Sequence, residues 1–380
     1  MAGIYLHIPF CKKACHYCNF HFSTQTTHIQ AFVDALLHEI ELQQGYLNEP
    51  IQTIYFGGGT PSLLNESQLK SIVDAIKTHF EVADTIECTL EANPDDMSPS
   101  KLAAWRQLGF NRLSIGIQSF QAPALTWMNR AHSVEQSHAA IVMAKAAGIH
   151  NLSIDLIYGT PTLTDEGLMA DLDWINQYEI NHVSCYALTV EDKTALKKLI
   201  EKAQIEDVDP EKQARHFEIV SSRLGAMGME HYEISNFAKP GFRSQHNSHY
   251  WSGKAYLGLG PSAHSFNTIS RQWNIANNAL YVQSILLDQL NFEIEYLSDA
   301  DRYNEYMMTS LRRMEGFDLD LIQAKFGDRY YQHSTEILEA MRPKNFFQQN
   351  GNCYTLNAKA KFLADGIAAD FFILVSAQSS

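Results

Sequence analysis

Three cysteines near the start of the chain are the residues best suited to chemistry. Cys11, Cys15 and Cys18 lie within eight residues, so their thiols can converge on one inorganic centre. Thiolates are soft ligands that suit zinc or an iron–sulfur cluster. A structural zinc needs a fourth protein ligand, for which His16 and His21 are candidates, whereas three cysteines would leave one iron of a four-iron cluster open. The triplet favours iron–sulfur over zinc, and three unliganded thiols in a core are the weakest of the three interpretations.

Size and composition are those of a globular protein with a large core. The chain has 380 residues, of which 45% are hydrophobic and 19% are charged. At roughly 150 residues per domain, this predicts two domains, or one larger barrel with a smaller unit. The net charge of −14 and the lack of a dense Lys/Arg run argue against general binding to nucleic acid, because phosphate contacts supply most of that affinity.

The start of the chain and the remaining cysteines predict the cellular setting. No basic leader precedes the triplet, and no stretch approaches about 18 uninterrupted apolar residues, so we expect neither a secretory signal nor a membrane span. Cys88, Cys185 and Cys353 are widely spread, which fits a reducing environment. We therefore expect a cytoplasmic protein.

Six strand patterns alternate with six helix patterns over the first 230 residues. The predicted strands cover residues 4–8, 53–56, 86–90, 112–117, 152–156 and 182–187. The predicted helices cover residues 28–44, 66–79, 100–108, 134–147, 165–177 and 210–227. This alternation predicts an α/β fold with a parallel sheet. A partial (β/α)6 barrel and a doubly wound open sheet share the pattern, so periodicity leaves both open.

Polar residues recur where the predicted strands end, which is where βα barrels carry their chemistry. In chain order, the first five strands end in the cysteine loop, in Gly57-Gly58-Gly59-Thr60-Pro61, and at Glu91, Gln118 and Asp155, and the sixth ends in Tyr186-Ala187. Such a series predicts one rim around one ligand. The ordinary alternatives are a tight turn for the glycines and helix caps or solvated charges for the two carboxylates.

The pattern changes after residue 228, so we place a domain boundary near residue 230, between residues 1–230 and 231–380. The second part holds helix patterns over residues 299–313, 318–326, 329–341 and 358–372, with a hairpin over residues 346–356. Helices with a small hairpin predict a winged-helix-like α+β unit. No basic recognition face is visible, so we expect it to pack against the first domain without a nucleic-acid role.

Together these residues resemble the radical S-adenosylmethionine (SAM) superfamily, whose signature Cys-x3-Cys-x2-Cys follows the first strand. The resemblance implies a partial barrel in which Cys11, Cys15 and Cys18 hold a [4Fe–4S] cluster. It further implies that SAM binds the open iron, with residues 57–61 as the glycine-rich SAM segment.

Residues 4–370 are similar to the oxygen-independent coproporphyrinogen III oxidase group of that superfamily. The resemblance implies a set of cofactor contacts around the rim: Tyr5, Tyr17, Gly58, Gly59, Thr60, Glu91, Gln118, Arg130, Asp155 and Ala187. The oxidases carry a fourth cysteine where this chain has Phe20, and they have a longer extension before the tyrosine that corresponds to Tyr5. Both departures are similar to a heme chaperone branch of the group.

That branch also carries His-Asn-x-x-Tyr-Trp, which His246, Asn247, Tyr250 and Trp251 match. The resemblance implies heme binding, with His246 as the candidate ligand, and delivery to acceptor hemoproteins, respiratory membrane-bound ones among them. It leaves open a homodimer and a peripheral position at the inner membrane. We assign no catalytic residue.

Two other functions stay open at this point. The runner-up is an oxidative decarboxylase, a coproporphyrinogen III dehydrogenase in which radical chemistry with SAM removes hydrogen from a propionate side chain. The third interpretation is a zinc-stabilised interaction protein.

Overall fold

Six parallel strands form the centre of the protein. The structure is a computed structural model that describes residues 2–374. These strands are β1 Ala2–Ile8, β2 Ile51–Gly58, β3 Val82–Ala92, β4 Arg112–Gln118, β5 Asn151–Tyr158 and β6 His182–Ala187. They are neighbours in chain order, and every pair is parallel. A doubly wound sheet would reverse the order part-way, so the order is that of a βα barrel, and the predicted α/β class is confirmed.

Helices connect the strands and cover their outer side. They are α1 Ile29–Leu42, α2 Glu66–His79, α3 Pro99–Leu108, α4 Ala122–Trp127, α5 Val134–Ala146, α6 Asp165–Gln177, α7 Ala195–Glu201 and α8 Pro210–Ala226. The six predicted helices are present. The short helices α4 and α7 were not predicted, because six or seven residues are too few to show a helical period.

The sheet continues beyond residue 230, the predicted boundary, to twelve strands. The added strands are β7 Glu230–Glu233, β8 Asn236–Ala238, β9 Tyr256–Leu259, β10 His264–Phe266, β11 Ser270–Asn274 and β12 Phe292–Tyr296. Strand β8 pairs with β6 and β9 pairs with β1, so both edges of the six-stranded unit are covered. Helices α9 Gln245–Trp251 and α10 Asn278–Ile285 lie between these strands.

The remaining elements form a second unit with its own core. They are α11 Asp299–Arg312, β13 Phe317–Asp318, α12 Leu319–Phe326, α13 Asp328–Met341, β14 Phe347–Asn350, β15 Cys353–Leu356, α14 Ala358–Lys361 and α15 Ala364–Asp370. Tyr303, Met307, Phe317 and Phe371 are among its buried side chains. The predicted hairpin is present, and Gly351 takes the left-handed φ of 61° that its tight turn requires. A turn at residues 362–363 divides the single helix predicted over residues 358–372.

No helix within residues 2–374 is both long and apolar enough to cross a membrane.

A buried carboxylate joins α1 to the strands that extend the sheet. Glu39 is fully buried and accepts hydrogen bonds from the Gly260 N–H at 2.7 Å, the Asn274 amide at 2.6 Å and the Tyr281 hydroxyl at 2.5 Å. Gly260 follows β9, Asn274 ends β11, and Tyr281 lies on α10. One side chain therefore fixes the return of the chain past β1, which is the strand that leads into the cysteine loop.

Replacing this carboxylate should destabilise the fold strongly. We expect Glu39→Ala to lower the free energy of unfolding by about 3 kcal/mol or more, because three buried donors lose their acceptor. Glu41→Ala, an exposed position on the same helix, is the matched control and should cost less than about 0.5 kcal/mol. Urea unfolding measures both, and equal effects for the two variants would contradict the role given to Glu39.

Candidate cluster and cofactor site

The cysteine loop follows β1 and is tied to two neighbouring segments. The Cys11 N–H donates to the Ser23 carbonyl at 3.0 Å, and the His16 N–H donates to the Met128 carbonyl at 3.2 Å. The His16 carbonyl in turn accepts from the Leu196 N–H at 2.7 Å. These bonds anchor the loop to the end of α4 and to α7, the two helices that sequence periodicity missed.

All three cysteines are half-buried, and none forms a disulfide. Burial raises the pKa of the Cys11 thiol, and it raises the pKa of the Cys18 thiol to about 11. Binding of a metal centre must therefore displace protons from these thiols. Lys12, between them, forms ion pairs with Asp95 and Asp96 and fixes this side of the loop to the segment after β3.

Arg130 links the cysteine loop to the ends of two strands. Its Nη1 lies 3.2 Å from Cys15 Sγ and 3.3 Å from the Tyr17 hydroxyl. Its Nη2 donates to Asn93 Oδ1 at 2.7 Å and to the Gly116 carbonyl at 2.8 Å. The guanidinium therefore ties the Cys15 sulfur to the segments after β3 and inside β4. The predicted site residues Tyr17 and Arg130 therefore lie together at the cysteines.

The glycine run allows β2 to approach the cysteine loop closely. A Cβ at Gly59 would lie 2.7 Å from the backbone oxygens of Ile8 and Phe10. Gly58 has a φ of 100°, which side-chain-bearing residues rarely adopt. Thr60 follows, and its hydroxyl interacts with the Cys11 thiol. The run thus has a packing function beyond a tight turn.

Two half-buried carboxylates, Glu91 and Asp155, face each other across the strand ends. Glu91 accepts from the Tyr55 hydroxyl at 2.8 Å, and Asp155 accepts from the Ser114 hydroxyl at 3.1 Å. Loss of water and then the like charge of Asp155 raise the pKa of Glu91 to about 7. Loss of water raises the pKa of Asp155 to about 6. Neither carboxylate caps a helix, so the pair is available to a polar or cationic ligand.

Of the other predicted contacts, Gln118 and Ala187 lie at this edge of the sheet, whereas Tyr5 lies in the middle of β1. The Tyr5 ring stacks on Tyr55 at 6.1 Å between ring centres. Gln118 ends β4 with a left-handed φ of 66°, where the pairing with β5 is irregular. Ala187 ends β6 opposite Tyr158. Gln118 and Ala187 therefore lie where the strand-end pattern places them, and the role of these residues as SAM contacts stays a prediction.

The donor set fits a cluster better than a closed zinc site. Within residues 2–374, no three His, Cys, Asp or Glu side chains are grouped closely enough to hold a single metal ion. His16 Nδ1 lies 2.9 Å from the Trp127 carbonyl oxygen, and His21 Nε2 lies 2.6 Å from the Asn278 amide oxygen. A four-iron cluster meets each cysteine at a different iron, so its ligands surround a larger body than one ion.

His246 lies apart from the cysteines. It is on α9, is only 3% exposed and places Nδ1 2.8 Å from the Thr53 hydroxyl, near the opposite ends of the strands. The Tyr55 ring stacks on it at 5.1 Å. Burial lowers the pKa of His246 to about 3, so the ring is neutral, and its Nε2 has no hydrogen-bond partner among the described residues. A layer of tyrosine rings separates this histidine from the cysteine rim.

Several supporting residues were missed at the sequence level. Asn93 accepts a hydrogen bond from Arg130. Ser114 donates one to Asp155, and Tyr55 donates one to Glu91. Ser114 and Tyr55 lie in the interiors of their strands, where two-residue alternation places them on the same face as the rim residues. This alternation along the strands is a signal in the sequence that could have identified both residues.

A cysteine triplet on the loop after the first of six parallel strands, with polar residues at the following strand ends, defines a radical SAM protein. A model of the Radical SAM superfamily matches residues 5–175. Among solved structures, coproporphyrinogen III oxidase (HemN) from Escherichia coli, a radical SAM enzyme, has a TM-score of 0.85 at 22% identity, covering 97% of this chain and 89% of that chain. That likeness establishes the shared fold.

Curated relatives give the family within this class. The heme chaperone HemW of Mycobacterium tuberculosis H37Rv is 33% identical over 371 residues, which are 96% of this chain and 93% of the relative. HemW of Bacillus subtilis is 32% identical over 375 residues, 98% and 99% of the two chains. The chain therefore belongs to the HemW family. Membership in the radical SAM class implies the predicted [4Fe–4S] cluster and SAM. The three cysteines of the loop fit such a cluster.

The raised pKa of Glu91 predicts a pH-dependent stability of the protein without its cofactors. An acid whose pKa rises on folding contributes stability below its unfolded pKa, and that contribution is lost as pH rises through the folded value. Between about pH 5 and pH 8, Glu91 should therefore lower the free energy of unfolding by on the order of 1–2 kcal/mol. Urea unfolding of wild type and Glu91→Gln measures this loss.

Glu91→Gln should lose less stability than wild type over this range. Glu218→Gln, at an exposed position on α8, should behave as wild type does. An identical pH dependence in wild type and Glu91→Gln would show that this carboxyl titrates at its ordinary value.

Proposed function

We propose that the protein is a heme chaperone, which binds heme and transfers it to acceptor hemoproteins. The observation that carries the proposal is the similarity to proteins named heme chaperone HemW along nearly the full length of both chains. Phe20, at the place where the oxidases have a fourth cysteine, is 64% exposed. A phenylalanine has no thiol, so this position lacks the fourth cysteine of the oxidases.

The cluster site is proposed at the strand-end rim. Cys11, Cys15 and Cys18 bind three irons of a [4Fe–4S] cluster. SAM occupies the open iron against the rim residues described above, with the carboxylates of Glu91 and Asp155 available to its cationic groups. Arg130 positions the cysteine loop through Cys15. The cluster and SAM serve as structural or regulatory cofactors.

Heme is proposed to bind at α9, the helix that carries the His-Asn-x-x-Tyr-Trp motif, with His246 as the candidate iron ligand. The free Nε2 of this neutral imidazole supports the proposal, because neutral imidazole nitrogen is a heme ligand. The ring is buried, so iron can reach it only if α9 moves away from β1 and β2.

The proposed setting is the cytoplasm, with acceptors that include respiratory hemoproteins at the inner membrane. The spread of unpaired cysteines supports a reducing compartment. A homodimer and peripheral membrane association stay predictions.

Anaerobic reconstitution tests the cluster proposal. We expect about four iron and four sulfide ions per chain. Cys11→Ser, Cys15→Ser and Cys18→Ser should each lose most of both, because a missing thiolate opens a second iron. Cys353→Ser is the matched control, since Cys353 lies in the separate C-terminal unit, and it should keep full content. Stoichiometric zinc without sulfide in wild type would overturn the proposal.

Heme titration followed by transfer tests the chaperone proposal. Heme-loaded protein mixed with an apo-hemoprotein should pass its heme on, which is seen as conversion of the visible spectrum. His246→Ala should weaken heme binding by about tenfold or more and shift the Soret band, whereas the exposed His150→Ala should not. Unchanged binding and spectrum in His246→Ala would remove this residue from the heme site.

A substrate assay separates the chaperone from the decarboxylase. Reduced, reconstituted protein incubated anaerobically with coproporphyrinogen III should form no protoporphyrinogen. Formation of protoporphyrinogen together with substrate-dependent 5′-deoxyadenosine would overturn the chaperone proposal.

A further inference from the structure

One of the two edges of the twelve-stranded sheet is open to another chain. The terminal strands are β7 and β12. The outer side of β7 is covered by the residues that follow α11, since the Met314 N–H donates to the Tyr232 carbonyl at 3.0 Å. Within residues 2–374, β12 pairs with β11 alone. The described part of the chain thus covers one edge of its sheet and leaves the other edge open.

The register between β11 and β12 decides which backbone groups of β12 face outward. The Leu297 N–H donates to the Ile269 carbonyl at 3.0 Å, and the antiparallel register continues from there without a shift. Residue pairs in an antiparallel ladder alternate between bonded and non-bonded, so the odd-numbered residues of β12 are bonded to β11. The N–H and carbonyl groups of Phe292, Ile294 and Tyr296 therefore point to the open edge.

Acidic and apolar side chains alternate along β12. Its sequence is Phe-Glu-Ile-Glu-Tyr, and the last four of these residues are exposed. The Ile294 side chain is 45% exposed, and that of Tyr296 is 74% exposed. Sheet edges are normally protected by proline, lysine or a bulge, and none of these occurs in the five residues of β12. Exposed apolar side chains on an unpaired edge favour pairing with another chain.

The two glutamates make this edge acidic. Neither Glu293 nor Glu295 forms an ion pair within residues 2–374. Arg271 lies opposite Glu295 in the ladder, but its guanidinium pairs with Glu305 on α11. The charges of both strand glutamates are therefore uncompensated, and charge complementarity selects a partner that brings basic side chains to them.

The same charges disfavour a second copy of this chain at the edge. Antiparallel pairing of two β12 strands over their whole length would set Glu293 of each copy directly opposite Glu295 of the other. Like charges that face each other across a strand pair destabilise it. The edge therefore selects against self-pairing and in favour of a different protein.

We propose that β12 is a docking strand, to which a partner protein adds an extended segment of alternating basic and apolar residues. In antiparallel pairing, lysine or arginine side chains lie opposite Glu293 and Glu295, and an apolar residue lies opposite Ile294. The outward backbone groups of β12 supply affinity, and the alternation of side chains supplies specificity. This inference goes beyond the proposed heme chaperone function and does not depend on it.

A labelled seven-residue peptide of alternating lysine and valine tests the proposal, with fluorescence anisotropy recorded as full-length protein is added. The valine opposite Ile294 exchanges backbone hydrogen bonds with it, so methylation of the valine amide nitrogens should weaken binding by about tenfold or more. Methylation of the lysine amide nitrogens, which face away from β12, should leave binding nearly unchanged. A peptide of the same residues in scrambled order keeps the charge and should bind about tenfold more weakly.

Variants of the protein locate the binding on β12. The double variant Glu293→Lys, Glu295→Lys should bind the lysine–valine peptide about tenfold more weakly and should bind a glutamate–valine peptide instead. Glu336→Lys, at an exposed position on α13, is the matched control and should bind as wild type does. Ile294→Pro removes one outward N–H and leaves the bonds to β11 in place, so it should also weaken binding about tenfold. Urea unfolding confirms that each variant is folded.

Three outcomes would overturn the proposal. Equal binding of the alternating, scrambled and valine-methylated peptides would show attraction by charge without strand pairing. Peptide binding that neither the double charge reversal nor Ile294→Pro weakens would exclude β12 as the docking strand. A wild-type dimer in sedimentation that Ile294→Pro dissociates would show that a second copy of the chain, and not a basic partner, occupies the edge.

Discussion

The contacts of the Arg130 guanidinium are the interaction on which the geometry of the cysteine rim depends. Through four hydrogen bonds it joins the Cys15 sulfur and the Tyr17 hydroxyl to Asn93 after β3 and to the Gly116 carbonyl inside β4. The loop is otherwise irregular, so no regular backbone ladder fixes where its sulfurs lie. A planar group with five donors can set both distance and orientation, which a lysine cannot do. Gly116 makes this possible, since a Cβ there would lie 3.2 Å from the guanidinium.

The interior between the two ends of the sheet is polar, and it separates the cysteine rim from His246. At the carboxyl ends of the strands lie the cysteines and the Glu91–Asp155 pair. At the other end, α9 closes the interior, and Glu87 accepts hydrogen bonds from the first two backbone N–H groups of that helix, each at 3.0 Å. A carboxylate at a helix N-terminus is stabilising, so α9 is held in place by a charge that belongs to β3. The rings of Tyr5 and Tyr55 thus lie between the cysteine rim and His246.

Much of this arrangement follows from sequence pattern, and the remainder depends on distant contacts. The six central strands and their helices were predicted because each carries its own periodicity, and parallel strands in chain order bring their ends to one edge. The strands β8 to β12 were missed because they are short, and β9 has Gly258 where any Cβ would lie 2.0 Å from the His264 carbonyl oxygen. A glycine in a short segment suggests a loop, but here it allows the backbone of β9 to approach the backbone of His264 closely. Buried His246 forms a hydrogen bond with Thr53, which is 193 residues away in the sequence, and no local sequence pattern predicts such a contact.

The whole site depends on one property: three cysteines hold a four-iron cluster whose open iron faces the rim. Electron paramagnetic resonance of the reduced, reconstituted protein, recorded with and without SAM, tests it most directly. A [4Fe–4S]⁺ signal should appear and should change its g-values when SAM is added, because SAM becomes a ligand of that iron. A cluster signal that SAM leaves unaltered, or no cluster signal at all, would contradict it.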